Sequence, residues 1–96
     1  MRLEWSHFAL ADRDEIFDHI EADSPRAAAT VDDRIGACVA LLMQFPERGR
    51  PGRVEGTREL IIGQTPYLAA YRTMGDVVRI LRILHGSRQW PDEMPN

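Results

Sequence analysis

The chain has 96 residues, 44% of them apolar and 28% charged, which suits one domain with an adequate but not generous core and excludes a disordered or fibrous protein. No apolar run approaches the ~18 residues of a membrane span, and the acidic N-terminal region is no secretory signal, so a cytoplasmic protein without membrane attachment is expected. The lone cysteine, Cys38, excludes an internal disulfide, and the net charge of −3 carries no overall nucleic-acid signature.

Arg2 to Trp5 alternates polar and apolar residues and reads as a short edge strand with Leu3 and Trp5 on one face. Ser6 then caps a helix whose apolar side carries Ala9, Ile16, Phe17 and Ile20, with Asp12, Asp14, Glu15 and Asp18 on the wet side. Ser24-Pro25 starts a second helix, Ser at the cap and Pro at the first helical position. Its stripe is Ala28, Val31, Ile35, Cys38, Val39 and Leu42, and Phe45-Pro46 ends it. The short break at 23–25 makes the two an antiparallel hairpin. Pro46 to Gly52 is a loop. Then the period changes to that of strands: a core at Leu60–Ile62, a turn at 63–66, a strand at Tyr67–Thr73, a tight hairpin at Met74-Gly75-Asp76 and a strand at Val77–His85. The last strand is apolar on both faces, with Val78, Ile80 and Leu84 on one and Val77, Leu81 and Ile83 on the other, which marks it as interior. Residues 86–96 read as an irregular tail anchored by Trp90. The order is strand, two helices, three-stranded antiparallel meander. That predicts one α+β two-layer domain over residues 1–96, helices on one sheet face.

Charge is unevenly distributed. Residues 1–47 hold four arginines against ten acids, and residues 48–96 hold eight arginines against five. No lysine occurs, and coding bias is the simplest cause. Arginine nonetheless offers a planar fork that grips a phosphate or carboxylate at two points.

The C-terminal half carries an ordered series: Gly49-Arg50-Pro51-Gly52-Arg53, Glu55-Gly56-Thr57-Arg58-Glu59-Leu60, Thr65-Pro66-Tyr67, Tyr71-Arg72, Ile80-Leu81-Arg82-Ile83-Leu84-His85-Gly86 and Arg88-Gln89-Trp90-Pro91. Over about residues 49–91 this series resembles the RelE/ParE family of toxins and plasmid-stabilisation proteins. The resemblance implies a compact bacterial toxin of a type II toxin–antitoxin system, masked by a cognate antitoxin. The antitoxin's disordered segment would fold onto the helical hairpin and the sheet, with its acids facing the arginines. RelE-like members cut messenger RNA on the ribosome. ParE-like members poison DNA gyrase without nuclease chemistry. The Ile-Leu-His ending of the last strand, followed by Gly-Ser-Arg, is closer to the ParE pattern, so gyrase inhibition is the first reading, ribosome-dependent cleavage the second and a non-toxic interaction module the third.

Cleavage of RNA needs a base, an acid and cations for the phosphorane. On the RelE-like reading His85, Arg82 and Glu55 are the candidate catalytic residues. Arg50, Arg53, Arg58, Arg72, Arg88 and Trp90 are the candidates for contact with a target or its phosphates. Each has a structural alternative. Arg82 shares the register of Val78 and Ile80 and is either the partner of a helix acid such as Asp18 or Asp32, or a groove residue. Arg58-Glu59 reads as a cross-strand ion pair. His85 is either functional or bonded to a loop, and Trp90 caps the sheet edge or stacks on a ligand. Trp5 belongs to the core, and His7 and His19 to the helix surface. No metal-ligand spacing, cofactor motif or sequence-specific DNA-binding motif is present.

Overall fold

A computed structural model of the chain describes residues 1–87, 90, 91, 94 and 95. Strand β1 (Arg2–Trp5) leads into helices α1 (His7–Glu21) and α2 (Pro25–Ala40), the latter continued by a 3₁₀ turn at Leu41–Met43. Strands β2 (Arg50–Pro51), β3 (Arg58–Ile61), β4 (Tyr67–Met74) and β5 (Val77–His85) follow. They form one mixed sheet in the order β1-β5-β4-β3-β2, with β1 parallel to β5 and the other neighbours antiparallel. The expected α+β two-layer arrangement is therefore present, with two additions. The N-terminal strand joins the meander by a parallel pairing, and Arg50–Pro51 lengthens the far edge. Among the described residues no helix is long and apolar enough to cross a membrane.

Serine starts both helices. The Ser6 hydroxyl accepts from the Ala9 N–H at 3.0 Å and donates to the Leu81 carbonyl at 2.8 Å, so the cap of α1 is also a rivet to β5. Ser24 accepts from the Ala27 N–H at 3.1 Å, with Pro25 just inside the helix. Arg13 then ties the helices together. Its guanidinium bonds Asp32 at 2.6 Å and lies over the Trp5 ring at 5.1 Å. Gly36 leaves the room, since a Cβ there would sit 3.0 Å from Arg13 Nη2.

The core lies between the helices and one sheet face. Ala9, Ile35, Val39 and Leu42 pack on Leu60, Ile62, Ala69, Tyr71, Val78, Ile80 and Ile83, and Trp5 rests half-buried against them. The hairpin between β4 and β5 turns on Gly75 at φ 59°, the position that a two-residue turn reserves for a residue free of Cβ strain.

The simple alternation expected along the last strand fails after Ile80. Tyr71 faces Ile80 while its neighbour Ala70 faces Arg82, so Leu81 is the extra residue of a β-bulge. The phase shifts by one. Ile83, not Leu84, joins Val78 and Ile80 in the core. Arg82 leaves the register assigned to it with those residues.

Candidate functional site

Strand β1 stops pairing at Trp5, opposite Ile80, so the outer edge of β5 is uncovered beyond that point. Helix α1 crosses there. Asp12, expected on the wet side of the helix, is instead 8% exposed. Its Oδ2 accepts from Arg82 Nε at 2.6 Å and from the Ile83 N–H at 3.0 Å, and its Oδ1 from Arg82 Nη2 at 2.9 Å. Three hydrogen bonds, two of them from a cation, offset the desolvation of this carboxylate. The partner of Arg82 is thus Asp12 rather than Asp18 or Asp32, and Asp32 belongs to Arg13. The hydrogen bonds to Asp12 push the Arg82 pKa still higher, so its charge is permanent.

Between α1 and the ends of β4 and β5 lies a groove of about 490 Å³. Glu15, Ile16, Asp18 and His19 form its helical wall, and Tyr67, Leu84 and His85 its sheet wall, with the Asp12–Arg82 pair at the base. His85 is half-buried and meets the Tyr67 ring edge-on at 5.6 Å. Its Nδ1 accepts from the Ser87 N–H at 3.2 Å and lies 2.9 Å from the Ser87 hydroxyl. In the neutral ring that places the proton on Nε2, leaving no free lone pair for a general base.

The C-terminal arginines converge on other partners. Glu59 is buried, and its carboxylate meets Arg50 Nη2 at 3.2 Å, the Arg53 N–H at 2.8 Å and Arg53 Nε at 3.5 Å. The Arg53 guanidinium stacks on Trp90 at 3.4 Å, and the Trp90 N–H donates to the His85 carbonyl at 3.3 Å. Trp90 is therefore a cover over its own chain. The expected Arg58–Glu59 pair does not form, because neighbouring strand residues point to opposite faces. Arg58 Nη1 instead donates to the Gly49 carbonyl at 2.7 Å and the Glu47 carbonyl at 3.4 Å. Tyr71 completes this clamp: its hydroxyl donates to the Pro46 carbonyl at 2.8 Å and accepts from the Gly49 N–H at 2.9 Å. Arg72 lines a separate shallow hollow with Gly56 and Thr57, its Nε buried without a hydrogen-bond partner.

The candidate residues are thus not one constellation. Arg82 and His85 share the groove, and Tyr67 is an unforeseen neighbour. Glu55 is an exposed turn residue beside Gly56, whose Cβ position is 3.9 Å from Arg72. His85 pairs with Tyr67, five residues from Arg72 along β4, about 17 Å away at strand rise. Arg88 lies outside the described residues. Among those described, no group of three or more His, Cys, Asp or Glu residues is placed to hold a metal ion.

Residues 3–90 match the family model described as the ParE toxin of the type II toxin-antitoxin system parDE. The chain belongs to the ParE toxin family. It is 47% identical over 90 residues to the Y4kP protein of Sinorhizobium fredii, which carries a provisional toxin name, spanning 94% of this chain and 93% of that one. It is 40% identical over 72 residues to toxin RelE1 of Caulobacter vibrioides, spanning 73% and 75% of the two chains. Among solved structures it is similar to a chain of the chromosomal ParDE TA system from P. aeruginosa, with a TM-score of 0.78 at 35% identity, covering 86% of this chain and 92% of that one. In this ParE-family toxin the groove is poorly equipped for a phosphodiester. Arg82 already grips a carboxylate, His85 is tied to Ser87, and Glu15 and Asp18 place negative charge where a phosphate would enter.

Proposed function

We propose that this ParE-family toxin arrests growth by binding DNA gyrase, without cutting RNA, and that a cognate antitoxin encoded beside it neutralises it in the cytoplasm. The carrying observation is the closed Asp12–Arg82 fork. The one arginine of the groove turns its Nε–Nη2 edge onto a carboxylate that balances its charge, which leaves little net positive charge for a developing phosphorane, and the carboxylates around it repel the substrate. The arginines at Glu59 and Gly49 are likewise engaged within the chain. An antitoxin partner accords with the family and with the ParDE origin of the similar structure.

Expression of the chain alone in a bacterial host, scored for DNA-damage response and for message decay, tests this. The expected result is growth arrest with a DNA-damage response, stable messages, and relief on co-expression of the neighbouring reading frame. Rapid message decay without DNA damage would instead favour ribosome-dependent cleavage, the reading suggested by the RelE1 relative and by His85 in the groove. No arrest at all would leave a non-toxic interaction module.

A further inference from the structure

The arginines of the meander differ in what balances their charge. Arg50 and Arg53 share Glu59, Arg79 meets Glu4 and Arg82 meets Asp12. Arg58 and Arg72, both half-buried, have no carboxylate within 4 Å among the described residues. Arg58 is held by the Glu47 and Gly49 carbonyls, which fix its position without cancelling its charge. Arg72 lacks even that. Its Nε is buried with no hydrogen-bond partner, and the residue opposite it on β5 is another arginine, Arg79. An unmade buried donor and like charges face to face across a ladder both cost stability in the bare protein. A group left in this state marks a place that water or an ion from outside the chain completes.

Both arginines line one hollow of about 240 Å³, where the β3–β4 ladder ends and the 52–57 loop turns away. Pro51, Gly56, Thr57 and Thr73 complete its lining. Gly56 turns at φ 79°, and a Cβ there would stand 3.9 Å from Arg72 Nη1, so the loop runs close to the guanidinium. No carboxylate lines the hollow. Glu55, on the adjoining turn, is exposed and outside the lining, and Glu59 is closed on Arg50 and Arg53. The contrast with the groove at Asp12 is one of sign. There the arginine is neutralised and Glu15 and Asp18 form part of the wall; here two cations have no counter-charge.

We infer that this hollow is a binding site for a phosphate group, with the Arg72 fork as its grip and Arg58 adding charge. A phosphate brings more charge and more acceptor oxygens than a carboxylate, and a guanidinium fork takes two of those oxygens at once. Of the residues expected to contact a target's phosphates, this selects Arg58 and Arg72, and it holds whether or not gyrase is the target. Free phosphate and a DNA backbone offer the hollow the same chemistry.

The test titrates the purified chain with inorganic phosphate at constant ionic strength and follows the arginine Nε–H resonances by NMR, with chloride and acetate as controls. The Arg72 Nε–H is expected to shift saturably with phosphate and little with either control. Phosphate binding should weaken at least about tenfold in R72M, which loses charge and fork, with R72K, which keeps the charge, between. Phosphate should also raise the melting point of the parent but not of R72M. An Arg72 Nε–H that responds no more to phosphate than to chloride overturns the inference, as does unchanged affinity in R72M. Acetate bound as tightly as phosphate overturns it too, by assigning the hollow to a carboxylate. If R72M melts before assay, R72K and the parent's Arg72 Nε–H decide. A short DNA duplex then separates the sources: displacement of phosphate by the duplex supports the site as one for backbone phosphate, and phosphate binding undisturbed by the duplex supports it as one for the free ion. Neither arm contains gyrase, so failure of this site and failure of the gyrase reading are seen separately.

Discussion

Replacing Asp12 by alanine removes three hydrogen bonds at once, and the structure sets the cost. The Ile83 N–H, buried under α1, loses its acceptor, at about 1–3 kcal/mol. The Arg82 guanidinium loses a bidentate partner. Its side chain is 25% exposed and that of Asp12 10%, so the pair lies between an exposed bridge worth about 0–1 kcal/mol and a buried one whose breakage costs about 3–5. Roughly 1–2 kcal/mol is appropriate, because water can reach the stranded arginine. The sum, about 2–5 kcal/mol, corresponds to a melting point lower by about 10–30 °C for a chain of this size. Asp12→Asn, which keeps an acceptor for Ile83, should lose only about half as much. Urea unfolding of D12A, R82M and the double variant closes a cycle, and a coupling of about 1–2 kcal/mol is expected. A loss under about 1 kcal/mol in D12A, or a coupling near zero, would refute the view that this carboxylate fastens α1 to the open edge of β5.

Tyr71→Phe leaves the Pro46 carbonyl and Gly49 N–H without their shared partner and should cost about 1–3 kcal/mol in urea unfolding, with faster proteolysis in the 44–49 loop. Burial holds the Tyr71 phenol above its ordinary value near 10.0. Its contribution is therefore intact below that pH and is lost as pH rises through the folded value, and the Phe variant should flatten part of that alkaline fall. Gly49→Ala should destabilise comparably, since a Cβ there would lie 2.7 Å from the Tyr71 ring; unfolding at the parent's urea midpoint would contradict this. Glu59→Gln should loosen Arg53 from beneath Trp90, at about 1 kcal/mol, and shift Trp90 fluorescence to the red; an unshifted spectrum counts against the contact.

Much of this architecture is legible in the sequence because period and punctuation agree. The Ser6 and Ser24 caps, the stripe of α2 and the strand–turn–strand order from Leu60 onward all follow from local rules. What escapes them depends on partners far along the chain. Asp12 looks like one more surface acid, although it falls on the same stripe as Ala9 and Ile16, and that spacing was the available signal. The bulge at Leu81 has no glycine to announce it, so the faces of Arg82, Ile83 and Leu84 cannot be assigned by counting in twos. Glu59 draws in Arg50 and Arg53, nine and six residues away, instead of its neighbour Arg58, because the loop at 52–57 folds back over the strand face. The groove was foreshadowed only by His85 and Arg82. Its acidic wall comes from a helix whose charges read as solvated.

The most direct test of the central claim adds the purified chain to two reconstituted systems: DNA gyrase supercoiling a plasmid, and ribosomes translating a defined message. Supercoiling should stall at toxin concentrations that leave the message uncut, and H85A should leave the message result unchanged. Cleavage of the ribosome-bound message, lost in H85A or R82A while supercoiling proceeds, would contradict the account.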